Sequence, residues 1–160
     1  MNYPLTIIIR HARENLKKCS LRGLEGRSDF AFYRYPHCAT GKEQLPDLRG
    51  CILLDMAGEP LSQKDAQSGF ILLDGTWKLA EKMQNNIPQI RELPKRSIPQ
   101  GFITAYPRRQ DDCPDPEAGL ASIEALYIAY HAAGRPTDGL LDGYHWKDLF
   151  LEKNKALFLK

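Results

Sequence analysis

Asp74-Gly75-Thr76-Trp77 brings a carboxylate, a glycine, a hydroxyl and an indole into consecutive positions. A carboxylate here could take up a proton or bind a cationic ligand group, the indole offers a flat apolar wall for a ring, and glycine admits a sharp turn or close ligand approach. The same residues also suit a structural role, with Asp74 or Thr76 capping a helix and Trp77 in the core. Both readings stay open on residue type alone. The other reactive side chains are scattered. Cys19, Cys38, Cys51 and Cys113 lack the paired spacing of a zinc ribbon or a redox motif and read as reduced cytoplasmic thiols. His11, Cys19, His37 and Cys38 are too widely spaced to announce a metal site, so no metal is expected. There is no Walker loop, G-x-G-x-x-G fingerprint, G-x-S-x-G elbow or H-E-x-x-H pair, which removes the common nucleotide, hydrolase and zinc-protease readings.

Charge gives a second indication. The net charge of +2 is too small to mark a nucleic-acid binder, but its distribution is uneven. From Arg10 to Arg49, nine basic against five acidic residues leave +4, and from Pro88 to Arg109, five against one leave another +4. Gln110 to Glu124 holds five acidic residues and no basic one. Two basic stretches on one face would attract a polyanion in a salt-sensitive way; on separate faces they are ordinary solvated surface.

The elements that must position these groups follow from periodicity. Leu5 to Ile9 is β-branched and nearly continuous in apolar character, the pattern of a strand covered on both faces. Ala12 to Lys18 suits a short helix, Phe30 to Tyr35 a second strand closed by Pro36, and Cys51 to Leu54 a third. A break at Ala57, Gly58 and Pro60 leads to Ser62, which suits the N-cap of a short helix through Lys64 and Ala66. Phe70 to Leu73 is a fourth strand running through Asp74-Gly75-Thr76-Trp77 into a helix over Lys78 to Met83, and Phe102 to Ala105 reads as a fifth. Glu117 to Ala133 is the strongest helical stretch, stopped by Gly134 and Pro136, and Gly143 to Lys153 forms a last amphipathic helix. Alternating strands and helices predict an α/β domain with a mainly parallel sheet flanked by helices, in which Asp74 stands at a strand's carboxyl end, where ligands bind.

A chain of 160 residues with 42% hydrophobic and 26% charged residues suits one folded domain. No apolar run approaches a membrane span and no signal-like segment opens the chain, so a cytoplasmic protein is expected. Residue chemistry alone reaches an α/β ligand-binding enzyme and no further.

Leu-Leu-Asp-Gly-Thr-Trp at 72–77, followed by Leu-Ala-Ser-Ile-Glu-Ala-Leu at 120–126, resembles the two signature blocks of the DTW-domain superfamily of RNA aminocarboxypropyltransferases. Cys-Ser-Leu-Arg-Gly-Leu at 19–24, the stretch from Cys51 to Asp65 and Ala105-Tyr106-Pro107 resemble further family elements, so the likeness runs from about residue 8 to residue 130. It implies a knotted, SPOUT-like α/β fold and transfer of the 3-amino-3-carboxypropyl group from S-adenosylmethionine to a uridine-type base in RNA, releasing methylthioadenosine. Block by block, it places Leu54, Met56 and Trp77 around the adenine, the backbone near Leu73 at the ribose, and Ser20, Ser122 and the amides near Leu120 at the methionine carboxylate. Asp74 becomes the candidate for positioning or deprotonating the base, and Arg22, Arg108 and Arg109 the candidate phosphate contacts.

Two departures from the family pattern bear on this. Asp55-Met56 replaces the Ser-Pro of ribosomal relatives and puts a charge beside the cofactor cleft, and Gln110 to Glu117 is an acidic insertion. The chain lacks the cysteine cluster that opens the tRNA-acting members, which favours ribosomal RNA over tRNA, and a monomer is expected. The competing readings are an RNA methyltransferase on the same fold, a non-catalytic RNA-binding or ribosome-assembly factor, and a small-molecule transferase using the same co-substrate.

Overall fold

The computed structural model describes residues 2–12, 20–75, 77–107 and 119–159, with the side chain of Trp77 outside the description. The expected helix over 12–18, Thr76, Arg108, Arg109 and the 110–117 insertion therefore lie wholly or largely outside the described residues. The strands are β1 (Thr6–His11), β2 (Phe30–Tyr35), β3 (Cys51–Pro60), β4 (Gly69–Asp74) and β5 (Lys95–Ser97). The helices are α1 (His37–Thr40), α2 (Trp77–Asn86), α3 (Pro88–Arg91), α4 (Ser122–Ala132), α5 (Lys147–Lys153) and α6 (Lys155–Phe158). The strands form one sheet in the order β2-β1-β4-β3-β5, and neighbours pair in parallel.

Alternation along the buried strands splits the core into two layers. Ile8, Ile52, Phe70 and Leu72 face Ile123, Leu126 and Ile128 of α4 and Phe150 of α5. Ile7, Ile9, Leu53 and Ile71 face the other way, toward Met83 of α2, Ile87, and Ile90 of α3. Every residue of β1 is buried, so each of its three isoleucines contributes about 1.5–3 kcal/mol by leaving water, and the strand tolerates polar groups only at its ends. Helix α4 is apolar nearly all round and runs through the core layer it helps to form. It stops as the sequence predicts: Gly134 takes φ 76°, its N–H bonds His131 O at 3.1 Å, and Arg135 N–H reaches back to Tyr130 O at 2.9 Å.

The structure corrects the sequence reading in several places. The expected break at 57–60 is a bulged continuation of β3, with the register against β5 shifting between Leu54 and Glu59. Gly58 is required there: a Cβ would lie 2.3 Å from the Lys95 carbonyl carbon. The fifth strand is Lys95–Ser97, not 102–105. The apolar segment Phe102 to Ala105 has its main chain satisfied by side chains instead of a neighbouring strand. Asn154, 2% exposed, accepts from Ile103 N–H at 2.7 Å and donates to Ile103 O at 2.8 Å, and Glu124 accepts from Ala105 N–H. Helix α4 begins at Ser122, later than the expected Glu117, and α5 begins at Lys147 instead of Gly143. Ser62 caps a short 3-10 turn, Gln63–Asp65, as its position suggests.

Candidate active site

β1 continues to β2 on one side, whereas the strand after β4, β5, lies on the other side beyond β3. The neighbours β1 and β4 thus send the chain in opposite directions, and the crevice outside their carboxyl ends is the place where open α/β sheets bind ligands. Their register is Ile7 with Ile71, Ile8 with Leu72, Ile9 with Leu73 and Arg10 with Asp74. Two apolar runs of equal length end in opposite charges, and parallel pairing sets those charges side by side on the α4 face.

Asp74 is 3% exposed, and its two oxygens are held from different directions. Arg10 Nε donates to Oδ2 at 3.3 Å and Ser122 Oγ donates to Oδ1 at 2.8 Å. Arg10 also donates through Nη2 to Glu25 Oε1 at 3.3 Å, and its guanidinium carbon lies 4.9 Å from the centre of the Phe32 ring. One guanidinium therefore joins a buried carboxylate, a half-exposed carboxylate and an aromatic face. Burial pushes the Glu25 carboxyl up, but the N–H groups of Glu25 and Gly23 and the Arg10 guanidinium outweigh it and hold the group below its ordinary value.

The start of α4 is pinned to the same place. Ser20 Oγ accepts from Ile123 N–H at 3.1 Å, satisfying one of the free donors of the first turn. Glu124, with no exposure, accepts from Thr104 Oγ1 (2.6 Å), Ala105 N–H (2.8 Å), Ala121 N–H (2.8 Å) and Tyr144 OH (2.9 Å). A single buried carboxylate thereby ties the segment at 104–105 to the residues that precede α4.

Asp74, Ser122 and Ser20 thus come together around the first turn of α4, with Leu120 half-buried just before it. Leu54, the fourth residue of β3, packs on the α4 side of the sheet and Leu73, next to the end of β4, on the α2 side; both are half-buried. Met56 is 94% exposed, because the bulge carries it clear of the ladder, so its side chain forms no wall here. The charge expected from Asp55 is compensated: Lys95 Nζ lies 4.0 Å away, the Gln84 amide bridges the two, and Asp55 Oδ1 accepts from Ala57 N–H. Gly75 does not have positive φ, and a Cβ on it would meet Leu79 and His11 at ordinary distances of 3.4 and 3.5 Å, so the backbone itself does not demand glycine. Arg22 is exposed. Arg108, Arg109 and the Trp77 ring lie outside the described residues, which place Trp77 only as the first residue of α2.

Arg10, Glu25 and Glu124 are the residues that sequence reasoning missed. The pair Arg10–Asp74 had a signal in the matching runs Ile7-Ile8-Ile9-Arg10 and Ile71-Leu72-Leu73-Asp74, and Glu124 had one in its place inside the block at 120–126, three residues after Ala121; Glu25 had none. Together the cluster presents fixed acceptors and hydroxyls beside a helix start, a donor set that fits the ammonium and carboxylate of an amino-acid group. Among the described residues there is no group of His, Cys, Asp and Glu that could hold a metal ion, and no helix long and apolar enough to cross a membrane.

Residues 7–146 match the family model for the DTW domain. Among curated proteins none matches the sequence. Among solved structures, the SAM-dependent rRNA:acp-transferase Tsr3 from Vulcanisaeta distributa superimposes with a TM-score of 0.72 at 21% identity, over 99% of this chain and 82% of that one.

Proposed function

The chain belongs to the DTW domain family, and from that premise we propose that it transfers the 3-amino-3-carboxypropyl group of S-adenosylmethionine to a uridine-type base in RNA, ribosomal RNA before tRNA. The observation that carries this reading is the position of Asp74: buried at the switch point of the sheet in one signature block, and held by Ser122 of the other block and by Arg10 of β1. The structural neighbour that acts on ribosomal RNA supports the choice of RNA and co-substrate. The knotted, SPOUT-like chain path belongs to the same reading.

The sulfonium co-substrate supplies three electrophilic carbons, so the product depends on which carbon is held in line with the nucleophile. Here that selection falls to the Ser20 hydroxyl and the backbone N–H groups near Leu120 and Ser122, which hold the carboxylate of the methionine portion, while Leu54, the backbone at Leu73 and Trp77 hold the adenosine. Asp74 orients this end of the site through its bonds to Arg10 and Ser122, or takes the proton from the accepting nitrogen. In the overall change a nitrogen–carbon bond forms, the carbon–sulfur bond breaks with its electrons going to methylthioadenosine, and the nitrogen loses its proton.

Product mass tests the reading. Incubation with S-adenosylmethionine and RNA from cells lacking this protein is expected to yield methylthioadenosine. S-adenosylhomocysteine would make the protein a methyltransferase, and RNA binding without either product would make it an assembly factor. Calorimetric titration with S-adenosylmethionine is expected to show binding in the micromolar range that is lost in Trp77→Ala.

A further inference from the structure

On the α4 face, a row of side chains crosses the sheet: Asp74 on β4 and Arg10 on β1 stand at the carboxyl edge, and Leu54 on β3 and Phe32 on β2 lie two residues deeper on either side of them. The proposed reading puts the adenosine over the β3–β4 half of this row. An in-line displacement needs its nucleophile on the side of the reacting carbon opposite the departing sulfur, and the other half of the same row lies at β1 and β2. That half is built. Phe32 is half-buried with the Arg10 guanidinium over its ring, and Glu25 stands at the rim with 45% of its side chain exposed, against 10% for Arg10.

Glu25 is fixed at this rim. Its Oε2 accepts from Gly23 N–H at 2.8 Å, in a turn that depends on the φ of 101° at Gly23, and its Oε1 accepts from Arg10. A carboxylate oxygen has two lone pairs, so each oxygen can accept a further donor from a ligand at the open side. Arg10 is too buried to serve as that contact and acts instead as the holder, linking Glu25 to Asp74.

We propose that Phe32, Arg10 and Glu25 form the subsite for the accepting nucleobase: Phe32 carries the ring, Arg10 holds Phe32 and Glu25 in place, and Glu25 accepts the imide N–H of a uracil-type base and takes up its proton as the nitrogen–carbon bond forms, leaving Asp74 to orient the site. The proposal rests on the transferase reading and adds to it the half of the site that selects the base. Cytosine has a lone pair where uracil has the imide N–H, so it would set acceptor against acceptor at Glu25 and be rejected. Single-stranded bases are commonly held in this way, stacked on aromatic or guanidinium planes and read at their Watson–Crick edge.

The test uses the full chain with S-adenosylmethionine labelled in the carboxyl carbon, and small-subunit ribosomal RNA and tRNA from cells lacking the protein; whichever fraction the wild type labels is the acceptor. Glu25→Ala is expected to lower kcat/KM for RNA by about 10–100-fold, while the dissociation constant for S-adenosylmethionine, read by calorimetry, stays within about twofold. Glu25→Gln keeps an acceptor for Gly23 N–H but cannot take up the imide proton, so it is expected to stay nearly as slow as Glu25→Ala, whereas a merely structural Glu25 would be rescued by glutamine. Phe32→Leu is expected to raise KM for RNA with the co-substrate affinity retained. An unchanged kcat/KM in Glu25→Ala, or an equal fall in co-substrate affinity, would overturn the subsite and leave the transferase reading standing. A wild type that neither binds S-adenosylmethionine nor labels either RNA would overturn both.

Discussion

The two ends of the sheet each hold a buried arginine, and the two are partnered by different chemistry. At the amino end, Arg135 is 4% exposed and donates to the carbonyls of Ala66, through Nε at 2.8 Å, and of Ser68. Its guanidinium lies 4.2 Å from the Phe70 ring centre and 5.3 Å from that of Tyr130. At the carboxyl end, Arg10 is 9% exposed and donates to the carboxylates of Asp74 and Glu25. Neutral carbonyls and ring faces hold this arginine in place, so Arg135 joins the turn before β4 to the residues after α4 and acts as scaffold. Carboxylates carry charge, and one of Arg10's partners is half open to solvent, so the same residue type becomes part of a site. Strand β1 touches both ends: Thr6 bonds the hydroxyl of Tyr130 beneath Arg135, and four residues further on stands Arg10, about 13 Å along the strand.

If this contrast is right, substitutions at the two ends should fail in opposite ways. The largest effect on folding is expected from Arg135→Met, which strips the donors from two part-buried carbonyls and removes the cation from the ring faces of Phe70, Tyr130 and Tyr3: about 3 kcal/mol, or a fall in Tm of roughly 10 °C. Below its lower Tm the variant should bind S-adenosylmethionine as the wild type does. Weakened binding at a temperature where circular dichroism shows it folded would erase the distinction between scaffold end and site end. Asp74→Asn should do the reverse. It keeps the shape but not the carboxylate symmetry that Arg10 and Ser122 grip, so transfer should drop about 100-fold, equivalent to about 2.7 kcal/mol of barrier. Arg10 retains Glu25 in that variant, and Tm should move by less than in Arg135→Met.

The same contrast explains what could be read from sequence. β1, β2 and β4 were legible because each is an apolar or aromatic run, and Asp74 was legible because it follows one directly into a helix. β5 is Lys-Arg-Ser, an edge strand with no apolar signal, held by the bulged β3. The segment 102–105 had the apolar signal without the pairing, since the groups that satisfy its main chain, Asn154 and Glu124, lie far along the chain. The site was half legible for a related reason. Asp74, Ser20 and Ser122 sit in recognisable blocks, whereas Arg10 and Glu25 look like ordinary surface charges until the register sets Arg10 against Asp74 and the turn at Gly23 brings Glu25 to it.

The smallest expected effect sharpens the comparison most, because it separates packing from titration at the scaffold end. Tyr130→Phe removes the hydroxyl bonded to Thr6 and leaves that buried oxygen short of a partner, a loss of about 1 kcal/mol near neutral pH with site function intact. In the wild type, burial pushes the Tyr130 hydroxyl above its ordinary value, against the opposing pull of Thr6 and Arg135. The folded state therefore keeps this proton longer than the unfolded state. Its contribution to stability is whole below the unfolded value of about 10 and is lost as pH rises through the folded one. Phenylalanine has no proton to lose. The stability gap between wild type and Tyr130→Phe, measured by urea unfolding from pH 8 upward, should hold constant to about pH 10 and then narrow; a gap that stayed constant beyond that point would show that the Tyr130 hydroxyl is exposed to solvent and not part of a closed scaffold.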